Sequence, residues 1–160
     1  SCGLYFLAAC AEEKQGELLE RLVRALGTGG IGGKVSAGYG TFAVDDVILL
    51  NEPFDAQTDW LYTALTMQNP KHYLLLTTSL PTDGELEDVL NGAYYQLARR
   101  GGYVQSNTFS STPQRKRTQY FLAAGAMLAR TFAGTLYNVA DAGAHPVYRY
   151  AKPMMLGVSF

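Results

Sequence analysis

The sequence predicts an α+β fold of the ferredoxin-like, split βαβ kind, enlarged by further β-strands. Two observations lead there. An apolar segment, an amphipathic helix closing on arginines, glycines and a second extended segment follow one another twice, and four more short apolar segments occupy the last quarter of the 160 residues. Such alternation of period suits helices segregated on one side of an antiparallel sheet.

The first unit opens with Leu4-Tyr5-Phe6-Leu7-Ala8-Ala9, an apolar run that suits a buried strand. Leu18, Leu19, Leu22, Val23 and Leu26 then recur at helical spacing, Glu17 and Glu20 stand four residues before Arg21 and Arg24, and Gly27 takes the place of a helix-ending glycine. Seven of the fourteen residues from 27 to 40 are glycine. Phe42, Val44 and residues 47–50 return to a strand pattern.

The second unit follows a polar stretch, residues 51–71, that carries no clear period and is read as an insertion. Residues 72–79 form the next strand. Thr82-Asp83-Gly84-Glu85 has the reciprocal spacing of a capping box. Leu86, Val89, Leu90, Ala93, Tyr94 and Leu97 keep helical period as far as Arg99-Arg100, with Gly92 tolerated inside, until Gly101-Gly102 stops it and residues 103–109 become extended. A polar loop from 105 to 117 leads to apolar segments 119–128, 131–139, 146–150 and 154–160, which extend the sheet or form a hairpin beside it. Residues 1–160 are thus expected to be one domain; an alternative parse makes residues 1–50 the closing half of an upstream ferredoxin-like domain.

Composition agrees with one buried core: 48% of the residues are apolar and 17% charged. No apolar stretch is long enough for a membrane span, and neither Cys2 nor Cys10 belongs to a metal or redox spacing. A reducing, cytoplasmic setting is expected, and the opening Ser-Cys-Gly without methionine is expected of a piece of a longer protein. The net charge of −1 conceals two opposite halves. Residues 1–88 hold thirteen acids against five cations, net −8, whereas residues 89–160 hold only Asp141 against eight cations, net +7. That asymmetry points to a polyanion on one side and a different neighbour on the other. Seven of the eleven tyrosines also lie in the basic half, where they are able to stack on exposed bases.

The glycine run follows a helix and precedes a strand. Nucleotide loops run the other way, strand first, so that a phosphate meets a helix N-terminus. Gly27-x-Gly29-x-x-Gly32 matches a dinucleotide fingerprint only by its letters, and the Walker pattern fails because Thr28 replaces its first glycine and Val35 stands where a hydroxyl is required. No cofactor is expected.

Gly30-Ile31-Gly32-Gly33-Lys34-Val35-Ser36-Ala37-Gly38-Tyr39-Gly40-Thr41-Phe42, in that context, resembles the glycine-rich loop of the RAMP superfamily of CRISPR-associated proteins. Arg99-Arg100-Gly101-Gly102-Tyr103-Val104 and His145-Pro146-Val147-Tyr148-Arg149-Tyr150 narrow the likeness to the C-terminal part of the fourth subunit of the Csm, or type III-A, effector complex. Members of that subunit family are longer, and their N-terminal part is missing here. The resemblance implies an RRM-like RAMP domain and a non-catalytic scaffold that holds the crRNA 5′ handle. It also implies contacts with the large polymerase-like subunit and with a backbone RAMP subunit, and no membrane.

On this reading Lys34 and the amides around Gly32, Gly33, Ser36 and Gly38 are candidates to grip RNA phosphates, since successive amides in a glycine loop form an anion-binding concavity. Arg115, Lys116 and Arg117 lie on an exposed loop able to lay three cations along a backbone. Arg99 and Arg100 are further candidates, although cations at a helix C-terminus also complement its dipole. Arg149 stands between Tyr148 and Tyr150, placed for a phosphate or for a carboxylate at a sheet edge. A rival function is metal-independent RNA cleavage with His145, Tyr148 and Lys34 as acid and base. His72 and His145, however, lie in different segments with no carboxylate or cysteine placed to orient them. A nucleotide-cofactor enzyme using Gly27, Gly29 and Gly32 is the third class.

Overall fold

The computed structural model describes residues 3–52, 54–104, 106 and 108–159. Cys2, the loop residues Gln105 and Asn107, and the terminal Phe160 lie outside the described residues. The chain divides into two compact units, Ser1–Leu49 and Leu50–Phe160.

In the first unit the leucine period forms α1 (Glu13–Gly29). The helix runs through Gly27, its expected end, and is capped by Gly30, whose φ is 81° and whose N–H donates to the Leu26 carbonyl at 2.7 Å. Gly27 has another task. The returning chain lies against it, with the Phe42 N–H donating to the Gly27 carbonyl at 3.1 Å, and a Cβ at position 27 would collide with the Phe42 carbonyl. At the far side of the loop, Ile31 N–H donates to the Gly40 carbonyl at 3.0 Å; Gly40 has φ 84°, and a Cβ there would strike the Ile31 carbonyl. Between these anchors lies a 3-10 turn, Val35–Ala37.

The two strands expected on either side of this helix are absent. Residues 4–9 and 42–49 form no strand, and Leu4, Tyr5, Phe6, Val47, Ile48 and Leu49 are exposed. An apolar run becomes a strand only when a neighbour pairs its backbone, and among the described residues no strand pairs with either segment.

The second unit opens with α2 (Ala56–Thr66), a helix inside the stretch that the sequence left without a period. Asp55 starts it: its carboxylate accepts from the Thr58 N–H and hydroxyl, each at 2.7 Å. Then come β1 (His72–Leu75), the short α3 (Leu86–Leu90), β2 (Leu97–Arg100), β3 (Gln119–Leu122), β4 (Met127–Leu128), β5 (Leu136–Asn138), β6 (Tyr148–Tyr150) and β7 (Met155–Val158). All pairs are antiparallel. β1 lies at the centre of one sheet, with Tyr73 opposite Leu128 of β4 and Gly157 of β7, while β2 pairs with β3 and β5 with β6. Leu75, Val89, Leu122, Ala126, Leu128 and Phe132 form the core, with Tyr73, Leu90, Ala93 and Met155 packed on it. Buried Ser79 links these layers: its backbone pairs with Leu122 at 2.9 and 3.1 Å, and its hydroxyl reaches the Lys152 carbonyl at 3.1 Å.

The long helix expected from Leu86 to Arg100 is a correction. Helical structure ends at Leu90, Asn91 and Gly92 turn with φ 73° at the glycine, and Leu97, Arg99 and Arg100 belong to a strand. Pairing with β3 satisfies the backbone of Leu97–Arg100 and overrides the helical propensity of Leu, Ala and Arg. Only half of the Thr82–Glu85 box forms: the Thr82 N–H and hydroxyl both donate to the Glu85 carboxylate at 2.8 Å, but the Glu85 N–H donates to the Thr82 backbone carbonyl at 2.9 Å, and α3 begins at Leu86 without a side-chain cap.

Candidate nucleic-acid interface

The β2–β3 pair gathers most of the basic residues that the sequence singled out. Arg99 lies opposite Tyr120 and Arg100 opposite Gln119. The ribbon continues past Gly101-Gly102: Lys116 N–H donates to the Gly102 carbonyl at 2.8 Å, Tyr103 bridges to Arg115, and Val104 N–H donates to the Gln114 carbonyl at 2.9 Å. Arg99, Arg100, Arg115, Lys116 and Arg117 therefore share one arm, although eighteen positions separate the first from the last.

Between the Arg100–Gln119 pair and the Tyr103–Arg115 bridge, residues 116–118 face only 101–102. The extra residue makes a bulge that turns Arg117 away from its partner strand. Its N–H donates instead to the Val139 carbonyl at 2.8 Å, one guanidinium nitrogen donates to the Asn138 carbonyl at 2.6 Å, and Nε pairs with Asp141 at 3.1 Å. Arg117 thus ties the arm to the end of β5. Arg99, Arg100 and Arg115 are exposed and Lys116 is half-buried, and among the described residues no ion pair is recorded for any of these four.

Arg149 turns into the fold. It donates to the Gly101 carbonyl at 3.3 Å, its guanidinium carbon lies 6.0 Å from the centre of the Phe121 ring, and Nη1 is buried without a partner, as is Gln119 Oε1. The two histidines remain apart in the topology. His72 begins β1 opposite Val158, whereas His145 meets Ser106 Oγ through Nε2 at 3.2 Å and its own chain's Pro146 carbonyl through Nδ1 at 2.9 Å, with its ring edge-on to buried Phe109. Nδ1 donates to that carbonyl, which leaves Nε2 to accept from the serine. His145 thereby fastens the tip of the arm to the loop before β6.

In the first unit Gly32, Gly33, Lys34, Ser36 and Gly38 are all exposed. A Cβ at Gly32, Gly33 or Gly38 would meet nothing within 4 Å. The chain's own packing accounts for Gly27 and Gly40 and leaves this stretch open.

A family model described as the CRISPR Csm4 C-terminal domain matches residues 68–158. The chain belongs to that family. It is 40% identical over 156 residues to the CRISPR system Cms protein Csm4 of Mycobacterium tuberculosis, covering 98% of this chain and 47% of the relative. The Streptococcus thermophilus Csm4 is 32% identical over 141 residues, covering 88% and 44%. The chain therefore spans less than half the length of these relatives. A crystal structure of the Csm3-Csm4 subcomplex in the type III-A CRISPR-Cas interference complex aligns with 94% of this chain and 41% of its counterpart at a TM-score of 0.54 and 18% identity, a likeness of fold. The Csm4 C-terminal match contains the whole arm, β5 and β6; the glycine loop lies before it.

Two features of this Csm4-like domain escaped the sequence reading. Arg99 and Arg100 lie on the same ribbon as Arg115–Arg117 because of strand pairing, which no local pattern announces. The inward turn of Arg149 is the other: Tyr-Arg-Tyr alternates with the period of a strand and puts the two rings on the face opposite Arg149, but which face is inward is set by the contacts of Arg149 with Gly101 and Phe121.

Proposed function

We propose that this chain is the RNA-holding, non-catalytic C-terminal part of a cytoplasmic type III-A effector subunit, bound to the crRNA 5′ handle and bridging the large polymerase-like subunit and a backbone RAMP subunit. The observation that carries the reading is the arm that brings Arg99, Arg100, Arg115 and Lys116 together with no ion pair to any of them among the described residues, a group of cations suited to a phosphate backbone. Family membership supports the same reading, as does a relative that was crystallised in a Csm3-Csm4 subcomplex.

The engagement of both His145 nitrogens by Ser106 and Pro146 supports a positioning role for that residue over an acid–base one. The deciding experiment offers the full-length subunit handle RNA at graded salt and also follows the RNA for cutting. Binding that weakens steeply with salt, with the RNA intact, is the expected result. Metal-independent cleavage lost in His145→Ala would replace this reading with the nuclease one.

A further inference from the structure

We infer that Tyr120 on β3 and Tyr103 on the continuation of β2 each stack a base of single-stranded RNA beside the arginine that faces it across the ribbon, so that the arm holds bases as well as phosphates. The inference rests on the RNA-binding reading above and adds base contact to it. Tyr120 lies directly opposite Arg99, and Tyr103 directly opposite Arg115. Directly opposed residues of an antiparallel pair point to one face, with Cβ atoms about 5 Å apart. Each ring therefore has a guanidinium at its side. Burial tells which face this is at the first pair. Phe121, next to Tyr120, is 2% exposed and has the Arg149 guanidinium carbon 6.0 Å from its ring centre, so the alternate face, with Tyr120 56% exposed and Arg99 open, is turned to solvent. Tyr103 is 54% exposed, and Arg115 is open too.

Charge and open ring faces together select the occupant. Among the described residues Arg99 and Arg115 have no ion pair, and the guanidinium recorded over a ring is that of Arg149 on Phe121. An arginine placed only to cover its cross-strand tyrosine would lie on the ring. Here both tyrosine faces stay open and both charges stay uncompensated. No acid occurs in residues 89–140, so the strands of the ribbon supply nothing to neutralise their own cations. Planar faces set beside positive charge match a single strand, whose bases stack on aromatic rings while its phosphates are neutralised alongside. An acidic protein surface would satisfy the cations and leave both rings bare.

The test uses the full-length subunit, handle RNA and an abasic RNA of the same length. Tyr120→Thr and Tyr103→Thr remove a ring while keeping strand propensity. Each is expected to weaken binding of handle RNA by about tenfold, with the slope of log K against log salt unchanged. Tyr120→Phe and Tyr103→Phe are expected to bind as the parent does. On the abasic RNA the parent and both threonine variants are expected to bind alike, a result that loss of the fold would not give, and melting curves accompany every variant. Threonine variants that bind handle RNA as tightly as the parent, or that lose handle and abasic RNA equally, overturn the stacking assignment and leave the RNA-holding function standing. So does a photoreactive residue at position 120 that captures a protein neighbour in place of RNA in the assembled complex, which would give this face to an acidic partner. A parent that binds no handle RNA at any salt overturns both.

Discussion

One carboxylate, Glu85, joins the turn before α3 to the segment after β4. Its Oε2 accepts from Thr82 twice and its Oε1 accepts from the Ala133 N–H at 2.7 Å. The Thr82 backbone bond, foremost, holds its pKa below the usual 4.5, against the opposing effect of burial. A depressed folded pKa means that this stability is complete above the unfolded value and is lost as pH falls through the folded one. Glu85→Gln is therefore expected to lower the melting temperature at pH 7, and the gap from the parent to close as both are acidified below pH 4.5; a gap independent of pH would place the effect outside the charge. Tyr137 behaves in the opposite sense. Burial, then the charges of Asp83 and Glu85, raise its pKa above 10.0, and its hydroxyl donates to the Pro81 carbonyl at 2.8 Å. Its contribution is complete below the unfolded value and lost as pH rises through the folded one. Glycines divide in the same way between structure and surface. Gly27→Ala is expected to destabilise the first unit because its Cβ meets the Phe42 backbone, while Gly33→Val meets open space and is expected to leave melting unchanged and weaken RNA retention. Gly38→Val is the poorer probe, since φ 81° adds strain of roughly 1–2 kcal/mol.

At the scale of elements, the β2–β3 arm brings basic residues distant in sequence onto one ribbon, and it is where the salt dependence of binding should reside. Arg115→Ala and Lys116→Ala are each expected to reduce the slope of log K against log salt by about 0.7 if each neutralises one phosphate of a single strand. Arg117→Ala is expected to act differently, lowering stability as well, because it removes the ties to Asn138 and Asp141. Titrations at four or more salt concentrations, with melting curves beside them, separate the two effects. The helix-to-strand correction in this region has a local cause and a distant one. Leu86 to Leu97 does alternate with helical period, but the Asn91-Gly92 turn ends α3 and the partner strand twenty residues later decides the rest. Propensity within a window has no access to that partner.

For the whole molecule, burial is distributed unevenly between the two units. Every buried apolar side chain recorded among the described residues lies in the second, whereas Leu18, Leu22 and Leu26 of α1 are each about half exposed and only Gly27 is buried in that helix. Residues 50–160 are accordingly expected to fold alone with a cooperative melt. Residues 1–49 alone are expected to lack one, because an amphipathic helix this short is marginal without a surface to cover its apolar face. Circular dichroism on the two fragments checks both. Within the second unit, Leu128→Ala should cost about 2–5 kcal/mol, as its side chain is fully buried at the centre of the core.

The sequence by itself determined the α+β class, the helix α1, the turn at Thr82–Glu85, strand structure within residues 72–79 and 154–160, and the likeness to the Csm family. Each of these rests on residues close together in the chain, where period, capping chemistry or a contiguous motif is visible. Tertiary structure alone decided that residues 4–9 and 42–49 stay unpaired, that Arg99 and Arg100 join Arg115–Arg117, and that Arg149 faces inward while its tyrosine neighbours face out. The physical reason is common to all three. A strand, unlike a helix, obtains its hydrogen bonds from residues distant in sequence, so its existence, register and outward face are settled only by the partner it meets.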